Sequence, residues 1–130
     1  MRRQDREITD RELVEDVLRR GNVLYLAMCD GDTPYVLPLS YGYDGEALWI
    51  HSAVAGRKVD VLRRAPRVCF AISPDQELTR GEASCGWSFR YRSVIGEGLV
   101  EFLATPAEQV AKTLMLRVWI TSLTGKQSGY

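Results

Sequence analysis

The chain has 130 residues, 45% of them hydrophobic and 26% charged, with seventeen basic and seventeen acidic side chains that cancel. That length makes one domain with a single core. Zero net charge argues against partners that are polyanions, so neither nucleic acid nor a membrane surface is expected. One histidine and three cysteines without C-x-x-C spacing rule out a histidine-rich metal site, and the odd cysteine count fits a reducing cytoplasm.

The start, MRRQDREITDRE, is charged throughout and lacks an apolar signal core, and the longest apolar run, 23–29, is too short to span a bilayer. A cytoplasmic location is therefore expected. Thr9-Asp10-Arg11-Glu12 is a capping-box pattern ahead of Leu13, Val14, Val17 and Leu18, an apolar stripe at helical spacing. A helix over 10–20 is expected, stopped at Gly21. Residues 23–29 read as a buried strand and Asp30-Gly31-Asp32 as a hairpin turn. The next strand takes 35–43 and contains Pro38, which cannot donate to a ladder. It marks an edge, a bulge, or a place where something approaches the backbone. Asp44-Gly45 is a second turn. Cys29 and Cys69 each sit in an apolar run and read as core thiols.

The stretch 48–70, LWIHSAVAGRKVDVLRRAPRVCF, carries the most information. Leu48, Trp49 and Ile50 are strand formers that end at a polar tip, His51-Ser52. A small-residue loop, Ala53-Val54-Ala55-Gly56, leads to Arg57-Lys58, which open a helix with Val59, Val61 and Leu62 inward. Pro66 ends that helix, and Val68, Cys69, Phe70 and Ile72 return as a strand. A helix N-terminus presents free N–H groups and the positive end of a dipole, so cations in its first turn are locally unfavourable. An anion would explain them, and with Gly56 and a serine hydroxyl the chemistry is that of a phosphate-binding corner. A solvated amphipathic helix kept soluble by its basic residues would leave the same pattern, and no P-loop or dinucleotide fingerprint is present.

Residues 74–86 are polar and read as a long exposed loop or an irregular hairpin. The longest extended stretch is 87–103, where Gly96 and Gly98 suit the sharp coiling of a small barrel. Trp87, Phe89 and Tyr91 share one strand face, opposite Arg90 and Arg92. Such a row either belongs to the core or flanks a planar anionic ligand. Thr105-Pro106-Ala107-Glu108 is a second capping box, its helix carrying Val110, Ala111, Leu114 and Met115 inward. Residues 116–121 alternate and form a last strand or prolong that helix, and 125–130 read as a polar tail. The sum is a mainly β (α+β) chain: one domain over 1–130, an antiparallel barrel of six or so strands with two or three short flanking helices.

The run HSA-x-x-GRK-x-D-x-L-R-x-x-PRVCF resembles the flavin mononucleotide (FMN) phosphate segment of the pyridoxamine 5′-phosphate oxidase-like, FMN-binding split-barrel proteins. Within them it is nearest the branch that includes nitroimidazole-resistance proteins. R-x-x-R-E-I-T-D, PYVLPLSYGYDGEALWIHSA, CGWSFRYRSVIGEGLVEFL and LTGKQSG extend the likeness over almost the whole chain. The resemblance implies a six-stranded antiparallel split β-barrel and a homodimer with FMN at its interface. Val36, Leu37 and Leu39, around a Pro38 bulge, would offer backbone contacts to the ring edge. His51 and Ser52 would sit beside the ring and ribityl chain, and Gly56, Arg57 and Lys58 would hold the phosphate. Trp87, Ser88 and Tyr91 would approach from the other subunit. His51 would also stand near the substrate, orienting or delivering a proton, or else be a hydrogen-bonded strand-end residue.

The implied function is an FMN-dependent oxidoreductase acting on a small nitroaromatic, quinone-like or vitamin-type molecule. Reduction of the nitroimidazole-resistance type is favoured over pyridoxamine phosphate oxidation, because the Arg/His-rich C-terminal signature of the latter is missing. The alternative is a non-catalytic module of the same fold that binds flavin, deazaflavin or haem. Relatives usually carry a longer helix and loop between the segments matching 114–115 and 116 onward; here the two abut.

Overall fold

The computed structural model describes residues 3–79, 88–103 and 113–130. Helix α1 runs Arg11–Arg20 and buries Val14, Val17 and Leu18, the residues its stripe predicts. Its N-cap is Asp10, whose carboxylate accepts the Glu12 N–H at 2.9 Å, so the cap lies one residue after the expected Thr9. The Tyr41 hydroxyl donates to the Leu18 carbonyl at 2.7 Å and so satisfies one of the helix's free C-terminal acceptors. Arg20 grips Asp75 with both terminal guanidinium nitrogens, at 2.6 and 2.7 Å, and ties the helix to the sheet.

The strands are β1 Glu7–Ile8, β2 Val23–Asp30, β3 Thr33–Ser40, β4 Gly42–Tyr43, β5 Ala47–Ala53, β6 Arg67–Thr79, β7 Ser88–Leu103 and β8 Thr113–Ser128. They form one antiparallel sheet in the order β3-β2-β6-β7-β8-β5-β4, with β1 also paired to β8. The strand count exceeds the expected six by β1 and β4, which have two residues each. The sheet curls until β3 touches β5 without pairing to it, which is the split barrel. Helix α2, Arg57–Arg64, crosses from β5 to β6 and buries Val59, Val61 and Leu62.

Alternation sends Leu24, Leu26 and Met28, Val68, Phe70 and Ile72, and Leu114, Leu116 and Val118 into one core with α1 and α2. Gly96 makes room in it: a Cβ there would overlap the Phe70 ring.

Several expectations are corrected. Cys29 and Cys69 are exposed free thiols, because the pleat that turns Met28, Val68 and Phe70 inward turns them outward. Pro38 sits on an edge strand with unbroken register from Val23↔Ser40 to Asp30↔Thr33, so it marks an edge and no bulge. The strand expected over 35–43 breaks at Tyr41, whose N–H goes to the Asn22 carbonyl. The 74–86 loop is shortened, since β6 continues to Thr79 beyond a register shift between Ile72 and Asp75. Leu114 and Met115 belong to β8, which passes without a break through Leu116. The helix expected from Thr105, with Val110 and Ala111, lies outside the described residues, as do Cys85 and Trp87. The polar tail is mostly strand: Gly125 and Lys126 pair with Ile8 and Glu7.

Candidate functional site

Strand β5 alternates to its end, leaving His51 exposed and Ser52 buried. The Ser52 hydroxyl donates to the Ala53 carbonyl at 2.9 Å. The chain then turns through Gly56, which has φ +127° and open space where a Cβ would stand. That φ favours glycine, and the missing side chain leaves the first turn of α2 accessible.

The two cations that open α2 differ. Arg57 donates from Nε to Asp30 at 3.1 Å and lies over the Tyr35 ring, 3.9 Å from its centroid. Arg64 donates to the other Asp30 oxygen at 3.0 Å, and the Arg57 and Arg64 bonds hold the Asp30 carboxyl below its usual range. Arg57 is thus accounted for without any bound anion. Lys58 is not: it is half-buried, burial lowers its pKa, and its ammonium meets no acceptor among the described residues. The Arg57–Tyr35 contact also fastens β3 beside α2. On β3, Val36 and Pro38 face outward, while Leu37 and Leu39 pack against the core.

Tyr91 lies elsewhere. It pairs with Gln76 and Ser128, stacks on Phe89 with ring centroids 6.0 Å apart, and accepts a 3.4 Å bond from Arg6. Phe89 is exposed, so the aromatic row is not core there. Ser88 opens the same strand. Within one chain this group does not join β3 and α2.

A cleft of about 550 Å³ opens beside His51, lined also by Ser40, Tyr41, Gly42, Trp49 and Met115. Sequence reasoning missed most of it. Met115 stands directly across from His51 on β8, a juxtaposition set by strand register. The Trp49 indole N–H donates to Asp44 at 2.8 Å, and Asp44 also accepts the Glu46 and Ala47 N–H groups, both at 2.9 Å. These bonds, the backbone pair foremost, bring the Asp44 pKa down to about 2. Burial of the Tyr41 phenol pushes its pKa up to about 12.

The arrangement can receive an anion at the start of α2 and a flat group in the cleft, with His51 lining that cleft five residues before Gly56. No cluster of three or more His, Cys, Asp or Glu side chains suited to a metal occurs among the described residues. No helix among them is long and apolar enough to cross a membrane.

Comparisons with known proteins agree with this fold. A family model described as pyridoxamine 5′-phosphate oxidase matches residues 10–127. An uncharacterized protein of Rhizobium meliloti (strain 1021) is 33% identical over 66 residues, 51% of this chain and 43% of the relative, so the match spans under half of that protein. Among solved structures, the fold is similar to a protein provisionally described as a 5-nitroimidazole antibiotic resistance protein from Bacteroides thetaiotaomicron. There the TM-score is 0.80 at 24% identity, covering 93% of this chain and 86% of the other. It is also similar to a FAD and heme binding protein from Mycobacterium smegmatis, with TM-score 0.82, 21% identity, and 96% and 74% coverage. The flavocytochrome Anf3 from Azotobacter vinelandii gives TM-score 0.82 at 17% identity over all of this chain and 72% of that one. With 118 of its 130 residues under the family model, the chain belongs to the pyridoxamine 5′-phosphate oxidase family.

Proposed function

We propose that this protein is a cytoplasmic, homodimeric FMN-binding flavoprotein that exchanges electrons with a small nitroaromatic, quinone-like or vitamin-type substrate. The observation that carries the reading is Lys58, a half-buried ammonium without an acceptor among the described residues, beside an open glycine at a helix N-terminus. A phosphate supplies the missing negative charge, and the free N–H groups of α2 add to it. Gly56 and Lys58 hold the phosphate directly. Arg57, already paired to Asp30, lends its charge from the side.

Val36, Leu37, Pro38 and Leu39 run along the ring edge, and Ser52 supports the chain between ring and phosphate. His51 is exposed at the cleft, where it holds or passes a proton at the edge of the bound ring. Bound flavin would supply the electron-transfer chemistry, which the side chains do not. Trp87, Ser88 and Tyr91 reach the flavin only from a second copy, because Tyr91 stands apart from α2 in its own chain. The exposed outer-face side chains Tyr25, Val36, Ile95 and Leu99 offer that copy an apolar surface.

The test is a titration of flavin-free protein with FMN and with riboflavin, which has the same ring and no phosphate. FMN should bind at least tenfold more tightly. Equal affinity would remove the phosphate corner, and sedimentation as a monomer in the presence of FMN would remove the shared site.

A further inference from the structure

Gly42 has no structural reason to be a glycine. It lies within β4, where glycine is unfavourable, and its φ is not in the left-handed region. A Cβ built on it meets nothing within 4 Å. Its cross-strand partner on β5 is Trp49, and an aromatic ring often folds over a strand glycine to cover it. That is not the case here, since a ring lying over Gly42 would meet the added Cβ. The space above Gly42 is instead part of the cleft that Trp49, His51 and Met115 line.

Trp49 is held as a fixed wall. Strand β5 runs between β4 and β8, so the residue opposite Trp49 is Gly42 on one side and Arg117 on the other. The Arg117 guanidinium lies 5.1 Å from the Trp49 ring centroid and 4.4 Å from that of Trp119, and Glu101 anchors it at 2.7 Å. The indole N–H is tied to Asp44. One flank of the indole is thus filled by a held cation, while the Gly42 flank is empty.

Polar groups stand at the rim. The hydroxyl of Tyr41 is engaged with the Leu18 carbonyl, but the side chains of Ser40 and His51 have no hydrogen-bond partner among the described residues. Both can donate to an oxygen at the edge of a flat molecule. We propose that Trp49 and Gly42 form a stacking slot for a planar aromatic or quinonoid ring bearing carbonyl or nitro oxygens, its face on Trp49 and its edge oxygens toward Ser40 and His51. Offset stacking on an immobilised indole selects flatness, and the bare glycine admits the ring's thickness. Which ring enters, the flavin's own or the substrate's, rests on the flavoprotein reading; the slot does not.

The test uses Gly42→Val, which fills the opening where the backbone tolerates a side chain, and Trp49→Leu, which removes the wall. Melting temperature reports folding, and Gly42→Val should melt no lower than the native chain. Binding of FMN, lumiflavin and menadione is measured on flavin-free protein, and of menadione also on FMN-loaded protein. If the slot takes the flavin ring, both variants weaken FMN and lumiflavin at least tenfold. If it takes the substrate ring, FMN affinity holds and menadione binding to the loaded protein weakens at least tenfold. Menadione binding that is sensitive to Gly42→Val in a protein that binds no FMN would keep the slot and discard the flavoprotein reading. Folded variants that bind all three probes like the native chain would overturn the slot.

Discussion

Replacing Lys58 by methionine keeps the length of the side chain and removes its charge, with two opposite effects expected. In the flavin-free protein the Lys58 pKa is lowered by burial. A lowered lysine pKa means that folding disfavours the charged form, so at neutral pH the ammonium works against stability and is relieved only as pH rises toward its ordinary value of 10.5. Lys58→Met should therefore raise the melting temperature of flavin-free protein. With FMN bound, the same change deletes a charge-assisted bond to phosphate, roughly 1.5–3 kcal/mol, or about ten- to 150-fold in Kd. Riboflavin affinity should not move. Flavin fluorescence titration and thermal melting read these quantities separately. An unchanged FMN affinity, or equal losses for FMN and riboflavin, would refute the phosphate assignment. A lower melting temperature would show that the ammonium has a stabilising partner. Arg57→Ala provides the contrast: it breaks the Asp30 pair and the Tyr35 contact, so flavin-free protein should melt lower.

Three further outcomes are expected. His51→Ala should retain flavin, as judged by its visible spectrum, yet lose most turnover with a nitroaromatic or quinone acceptor; full turnover would return His51 to a structural role. Gly96→Ala forces a methyl into the buried Phe70 ring and should destabilise by about 1–3 kcal/mol, near 4 °C of melting temperature per kcal/mol, measured by thermal unfolding. Asp44 has a depressed pKa of about 2, so its stabilising bonds are present above its ordinary value of 3.8 and are lost as pH falls toward 2. Acid melts of Asp44→Asn should lack that part of the pH dependence, and Trp49 fluorescence should shift once its anchor is gone.

What the sequence made legible follows from how local each feature is. Helix α2 needed only a 3.6-residue period and Pro66, so Val59, Val61 and Leu62 were assigned correctly. Strand β2 hid its faces, because Tyr25 and Ala27 make its outer side apolar as well; the pleat carrying Cys29 outward could not be read from an unbroken apolar run. Met115 sat where a short apolar run suits helix and strand alike, and only pairing with β5 decides. Gly125 to Ser128 have little strand propensity and are strand because β7 and β1 flank them. At the candidate site, the start of α2 at Gly56, Arg57 and Lys58 was legible, and the resemblance proposes it as the phosphate corner. The pairing of Arg57 with Asp30, 27 residues away, was not readable, nor was the Gly42–Trp49 cleft, since strand register creates both.

The most direct test of the central claim is the visible absorption spectrum of freshly purified protein, followed by acid release and identification of its chromophore. An FMN-binding chain shows the two-band spectrum of oxidised flavin, released as FMN. A sharp haem band, or a colourless protein that takes up no added FMN, would contradict the claim.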